Sequence, residues 1–147
     1  LKNPYPVVLN LANRPVLVVG GGRIAARKIQ ALLEANAKVT VISPSLSRKI
    51  DPKKVHWISR EYLSNDLTGY SLIFAATGDL LVNRQVTEDA QDNQWVNDIS
   101  NKYDSNFFNV AVVRHEDYVI GISTTGKSPS AAKKLKERIQ AWLVKGN

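Results

Sequence analysis

Val16-Leu-Val-Val-Gly-Gly-Gly-Arg-Ile-Ala-Ala-Arg-Lys28 runs a β-branched strand into a glycine turn that opens directly into a helix. Gly20, Gly22 and Ala25 stand at the spacing G-x-G-x-x-A. The first glycine permits a tight turn, the second lets a pyrophosphate approach the backbone, and the alanine lets helix and strand pack closely. The helical repeat that follows predicts Ile24, Ala25, Ile29, Leu32 and Leu33 on an apolar face, with Arg23, Arg27, Lys28 and Gln30 towards solvent. Asn36, a residue that tolerates the left-handed cap, is the predicted end of the helix. A second strand at Lys38-Val-Thr-Val-Ile42 completes a βαβ unit. In that context the glycines read as a dinucleotide site rather than as a bare structural turn, with Gly20, Gly22, Arg23 and Ile24 as its contacts.

The carboxylate that usually grips the adenosine ribose stands about 20 residues after the glycines. Ser43-Pro-Ser45 takes that place, so Pro44 and Ser45 are the candidate adenosine contacts, through a hydroxyl and backbone groups. No arginine lies immediately at that strand end to favour a 2′-phosphate, and the reading leans to NAD over NADP.

At 147 residues and 44% hydrophobic content, the chain has the material for one globular domain with a small appended piece. No apolar run approaches the ~20 residues of a membrane span, and Leu1 to Leu11 lacks the cationic-then-apolar order of a signal peptide, so a cytoplasmic location is expected. The lack of methionine even at position 1 leads to the expectation of a longer translated product. With no cysteine, disulfides, thiolate metal sites and cysteine nucleophiles are excluded, and with only His56 and His115 no resident metal is expected. The 20 basic and 13 acidic residues leave a net charge of +7, which suits an acidic partner. Nucleic acid, anionic lipid and a polycarboxylate all fit that charge. No aromatic residues interleave with the basic ones as a nucleic-acid stacking surface requires, and Lys133, Lys134, Lys136 and Arg138 read as a solvated helix face.

Further along, Val55-His-Trp-Ile58, Ser71-Leu-Ile-Phe-Ala75 and Gln94-Trp-Val-Asn97 read as strands, and Leu81, Val82, Val86 and Ala90 mark a helix between Asp79 and Gln91. The order predicts an α/β, Rossmann-type doubly wound parallel sheet over residues 1–104. Ligands bind beyond the carboxyl ends of such strands. That places Thr77 and Asn97 near the cofactor, with Thr77, Gly78 or Asp79 also serving as a helix cap. Residues 105–147 change character. Phe107 to Val113 and Asp117 to Ser123 form a predicted hairpin joined by Arg114-His-Glu116, and Ser128 caps a helix from Pro129 to Val144. Amides at that helix start attract anions.

These pieces resemble the precorrin-2 dehydrogenases, the stand-alone relatives of the N-terminal module of siroheme synthase. The resemblance rests on Tyr5-Pro-Val-Val-Leu-Asn-Leu11, Val18 to Lys28, Leu33 to Pro44, Ile73-Phe-Ala-Ala-Thr-Gly-Asp79 with Val82-Asn-Arg-Gln-Val86, and Gly121-Ile-Ser-Thr-Thr-Gly-Lys-Ser-Pro129. It implies NAD-dependent oxidation of the tetrapyrrole precorrin-2 to sirohydrochlorin, in some members followed by iron insertion. It also implies a homodimer built on the β element, and further helices after this C-terminus. The substrate's carboxylates would fall to Thr124, Lys127 and Ser128. The family's general base lies in an Asn-x-x-Asp segment, which here begins at Asn97 but carries Ser100 at its fourth position. Asp98, Asp104 and His115 are the remaining candidates for the proton-accepting role, although an aspartate in such a polar loop is more often a turn-former than a base, and His115, placed in the hairpin turn, reads as an exposed, idle histidine unless a dimer mate covers it. The competing reading is a non-enzymatic NAD-sensing Rossmann module.

Overall fold

The computed structural model describes residues 3–144. Two compact units divide the chain: one runs from Val8 to Phe107, and the other comprises the described residues on either side of it.

In the first unit β1 (Pro15–Val19), α1 (Arg23–Glu34), β2 (Lys38–Ile42), β3 (His56–Ile58), β4 (Leu72–Ala75), α2 (Leu80–Asp89) and β5 (Trp95–Asp98) follow in order, with one 3-10 turn at Ser64–Leu67. The five strands are all parallel and lie in the order β3-β2-β1-β4-β5, so the winding reverses between β1 and β4. Register brings the strand ends level, with Val19 beside both Ile42 and Ala75, and Ala75 beside Asp98. Everything that follows these residues therefore emerges along one edge, the edge where α/β sheets bind ligands.

Both sheet faces are buried, and the strand period of two sorts the side chains between them. Val16, Val18, Val39, Val41, Leu72 and Phe74 meet Ala25, Ala26, Ile29 and Leu32 of α1. Leu17, Val19, Ile42, Ile73, Ala75 and Val96 pack on the opposite side with Val86 of α2 and Leu67. The α1 reading needs two corrections. Ile24 is 47% exposed, because it sits in the first turn beyond the edge of the sheet. Lys28 turns inward, placing its Nζ 5.5 Å from the centroid of the Phe74 ring, where burial and the neighbouring Arg27 lower its pKa. α1 gives way at Ala35, and Asn36 takes φ 56, the left-handed conformation foreseen for it. In α2 the buried face is Asn83 and Val86, with Leu81 exposed.

The chain after β5 does not begin a strand at Phe107. Asn106 bonds along the edge of β5 instead, donating its backbone N–H to the Val96 carbonyl at 3.0 Å while its side chain accepts from the Val96 N–H at 2.7 Å and donates to the Gln94 carbonyl at 3.1 Å. This occupies an edge that would otherwise be open to pairing. Phe107 then docks edge-on against Phe74, with centroids 5.2 Å apart and planes at 81°.

In the second unit β6 (Ala111–His115) and β7 (Tyr118–Ile122) form an antiparallel hairpin, and α3 spans Pro129–Val144. The hairpin turn is Glu116-Asp117, with Glu116 at φ 45, so His115 is the last residue of β6, paired with Tyr118, and not a turn residue. Val113, Ile122 and Ala132 form the small core of this unit, with Ala111, Ile120, Ile139 and Leu143 around it. No helix among the described residues is long and apolar enough to cross a membrane.

Replacing Phe107 with Ala removes the ring that closes the core beside β5. Because the ring is only part-buried, the expected loss is about 2 kcal/mol in urea unfolding, whereas exposed Tyr103→Ala changes stability by less than about 0.5 kcal/mol.

Candidate dinucleotide site

At the end of β1 the backbone is crowded on two sides. The Gly20 N–H donates to the Ile42 carbonyl at 2.8 Å, and the Ala76 N–H donates to the Val19 carbonyl at 2.8 Å. Gly20 has φ +119, and a Cβ there would lie 2.3 Å from the Ala76 carbonyl oxygen. At Gly21 a Cβ would lie 2.2 Å from the Ser45 carbonyl oxygen and 2.8 Å from Ser43 Oγ. The G-x-G-x-x-A pattern leaves Gly21 as an unspecified position, and no local rule marks it, because the loop that excludes a side chain there comes from more than 20 residues later in sequence. Gly22 differs from both, since no atom lies within 4 Å of where its Cβ would be.

That open space faces the start of α1. Gly22 is the N-cap and supplies no side-chain hydrogen bond, and no acidic residue stands in the first turn. The other α-helices among the described residues close their own starts. Asp79 Oδ1 accepts from the Leu81 N–H at 2.8 Å and the Val82 N–H at 3.4 Å, and Ser128 Oγ accepts from the Ala131 N–H at 3.2 Å. α1 alone presents amides without a side-chain acceptor, at the positive end of its dipole and with Arg23 exposed in the same turn. This is the chemistry a pyrophosphate requires, and the residues fit the group. The half-exposed Ile24 adds an apolar surface beside it.

At the end of β2 the buried Ser43 hydroxyl donates to the Ser45 carbonyl at 2.7 Å, and the Trp57 indole N–H donates to the Ser43 carbonyl at 2.9 Å. Ser43 and Trp57 thus shape the turn, leaving Pro44 and Ser45 exposed on it. The part played by Trp57 was not legible in the sequence, because it depends on β3 pairing with β2.

Beyond β4 and β5 the polar groups are joined to one another. Thr77 Oγ1 donates to Asn83 Oδ1 at 2.7 Å and accepts from the Asp79 N–H at 3.1 Å, so Asp79 is the helix cap and Thr77 braces it. Asn97 Nδ2 donates to the Phe107 carbonyl at 3.0 Å. Asp98 is 4% exposed, and its Oδ1 accepts from the Ser100 N–H at 2.7 Å, the Ser100 hydroxyl at 2.5 Å and the Asn101 N–H at 3.3 Å, the pattern of a turn-forming aspartate. Asp104 is exposed and accepts from Asn101 Nδ2. The other sequence candidates belong to the second unit. There Thr124 Oγ1 donates to the Ser128 carbonyl at 3.0 Å and accepts from the Ser128 N–H at 3.1 Å, while Lys127 is exposed and His115 Nδ1 is buried with no hydrogen-bond partner. No group of three His, Asp or Glu side chains among the described residues is placed to hold a metal ion.

A family model described as putative NAD(P)-binding matches residues 7–111. The solved structure of SirC, precorrin-2 dehydrogenase, superimposes with a TM-score of 0.84 at 34% identity, covering 94% of this chain and 70% of that one. The chain belongs to the precorrin-2 dehydrogenase family of NAD(P)-binding proteins. Siroheme synthases of Neisseria meningitidis serogroup C and Actinobacillus pleuropneumoniae serotype 3 are 35% and 37% identical to it over 146 residues, 96% of this chain. The chain spans about 30% of the length of these curated relatives. The crowding at Gly20 and Gly21 is what forms the uncapped α1 start at Gly22.

The three glycines therefore separate into two classes. Gly20→Ala and Gly21→Ala are expected to destabilise the fold by roughly 2 kcal/mol or more in chemical denaturation. Gly22→Asp is expected to leave the unfolding midpoint nearly unchanged while NAD affinity falls at least tenfold by calorimetry, through repulsion of the pyrophosphate.

Proposed function

We propose that this protein is an NAD-dependent precorrin-2 dehydrogenase: precorrin-2 and NAD⁺ give sirohydrochlorin, NADH and a proton. The observation that carries this reading is the likeness to SirC, precorrin-2 dehydrogenase, along nearly the whole chain, joined to a helix start built for a pyrophosphate. The α1 amides and Arg23 hold the pyrophosphate, the Pro44-Ser45 turn receives the adenosine, and Thr77 and Asn97 flank the nicotinamide. When bound, NAD supplies the hydride acceptor, the harder half of the oxidation. The absence of a carboxylate at the end of β2 leaves the ribose hydroxyls to Ser45 and backbone groups, and NAD is preferred to NADP.

Asp98, Asp104 and His115 are the groups proposed for the proton, and Thr124, Lys127 and Ser128 for the substrate carboxylates. A chain of net charge +7 suits a polycarboxylate. With serine at position 100, the reading is confined to dehydrogenation and assigns no metal insertion. The protein is proposed to act in the cytoplasm as a homodimer paired through the hairpin unit. A two-stranded hairpin under one helix is marginal alone, and Tyr118, Val119 and Trp142 are exposed on it.

Anaerobic incubation with NAD and enzymatically generated precorrin-2 is expected to yield NADH and sirohydrochlorin in equal amounts, followed by absorbance. Tight NAD binding without turnover would instead support a nucleotide-sensing module. Sedimentation equilibrium is expected to return twice the 16.3 kDa chain mass, and a monomer at micromolar concentration would refute the pairing.

A further inference from the structure

Asn83 lies in the second turn of α2 and is fully buried. Its neighbour on the buried face, Val86, packs into the core with Leu17, Ile73 and Val96, and an apolar residue at position 83 would continue that surface. Asparagine is a poor choice for a helix interior, and the structure shows what it does there. Its Oδ1 accepts from the Thr77 N–H at 3.0 Å and from the Thr77 hydroxyl at 2.7 Å. Its Nδ2 donates to the Thr77 carbonyl at 3.2 Å and to Ser100 Oγ at 3.3 Å. Both acceptor positions and both donors of the amide are thereby used, which fixes its orientation. All four bonds go to loops that leave the carboxyl ends of β4 and β5.

The connection continues past Ser100. The Ser100 hydroxyl, on an exposed residue, donates to the buried carboxylate of Asp98. Thr77, Asn83, Ser100 and Asp98 thus form one hydrogen-bonded chain across two adjacent strand ends. In a parallel sheet these are the ends that face a bound ligand.

We propose that Asn83 is the positioning residue of the nicotinamide end of the site: it locks the loop after β4 to the loop after β5, so that the two loops stand beside the ring in one arrangement. This rests on the reading of the site as a nicotinamide dinucleotide site. Asn83 itself is buried and acts through Thr77 and Ser100. A residue needed only for stability would weaken every ligand alike. A positioning residue of the ring end weakens the dinucleotide and spares a fragment that lacks the ring.

The test compares the binding of NAD and of ADP-ribose, by calorimetry, to the whole protein and to Asn83→Asp, which keeps the volume and the acceptor but loses both donors. The expected result is at least a tenfold loss of NAD affinity with less than a twofold change for ADP-ribose. A parallel loss for both ligands, or no loss for either, overturns the proposal. Ser100→Ala, at an exposed position, cuts the arm to the β5 loop together with the hydroxyl's bond to Asp98, and keeps the inference testable if Asn83→Asp does not fold. It is expected to show the same selective loss, and an unchanged ratio of the two affinities counts against the proposal. If the unsubstituted protein binds neither ligand, the dinucleotide reading falls and this inference with it. Binding of both ligands with an unchanged ratio in the variants removes the inference alone.

Discussion

The absence of side chains at positions 20 and 21 is the constraint on which the first unit depends. Backbone from β1 passes within hydrogen-bonding distance of backbone from the ends of β2 and β4, and a single methyl group at either position would overlap a carbonyl oxygen. Three strand ends converge there, and α1 starts from the convergence. A larger residue would force the β1 end away from Ala76 or from Ser45. Either movement would displace the start of α1.

From that constraint comes a division of labour among helix starts. A helix leaves its first amides unsatisfied, and most sequences supply an acceptor. α2 uses Asp79 and α3 uses Ser128, so each meets this need with its own side chain. α1 has glycine at the equivalent place and supplies no side-chain acceptor. What two helices satisfy with their own side chains is thus left open at the start of α1, where an anion fits.

Around this site the polar residues are engaged with one another. Ser43 holds Ser45, Asn97 holds Phe107, Asp98 holds Ser100, and Asn83 holds Thr77. Such engagement holds each of these side chains in one orientation at the strand ends.

The strand, the glycines, the α1 period and the left-handed Asn36 were legible because each is a local property: a side-chain period, a backbone freedom, a cap. So was the Rossmann order, which follows from strands alternating with helices, and the family, which follows from motifs in series. The roles of Gly21, Trp57, Asn83 and Asn106 were not legible, since each makes its decisive contact with a segment distant in sequence or with an edge left open by the sheet. Lys28 shows the same limit, as its place on the helix wheel is solvent-facing until Phe74 arrives beneath it. The sequence alone determined the βαβ scaffold and its ligand class, because those arise from periodicity and from backbone freedom at glycine. The tertiary structure alone decided which polar side chains brace the site, because hydrogen-bond partners are chosen by proximity in space.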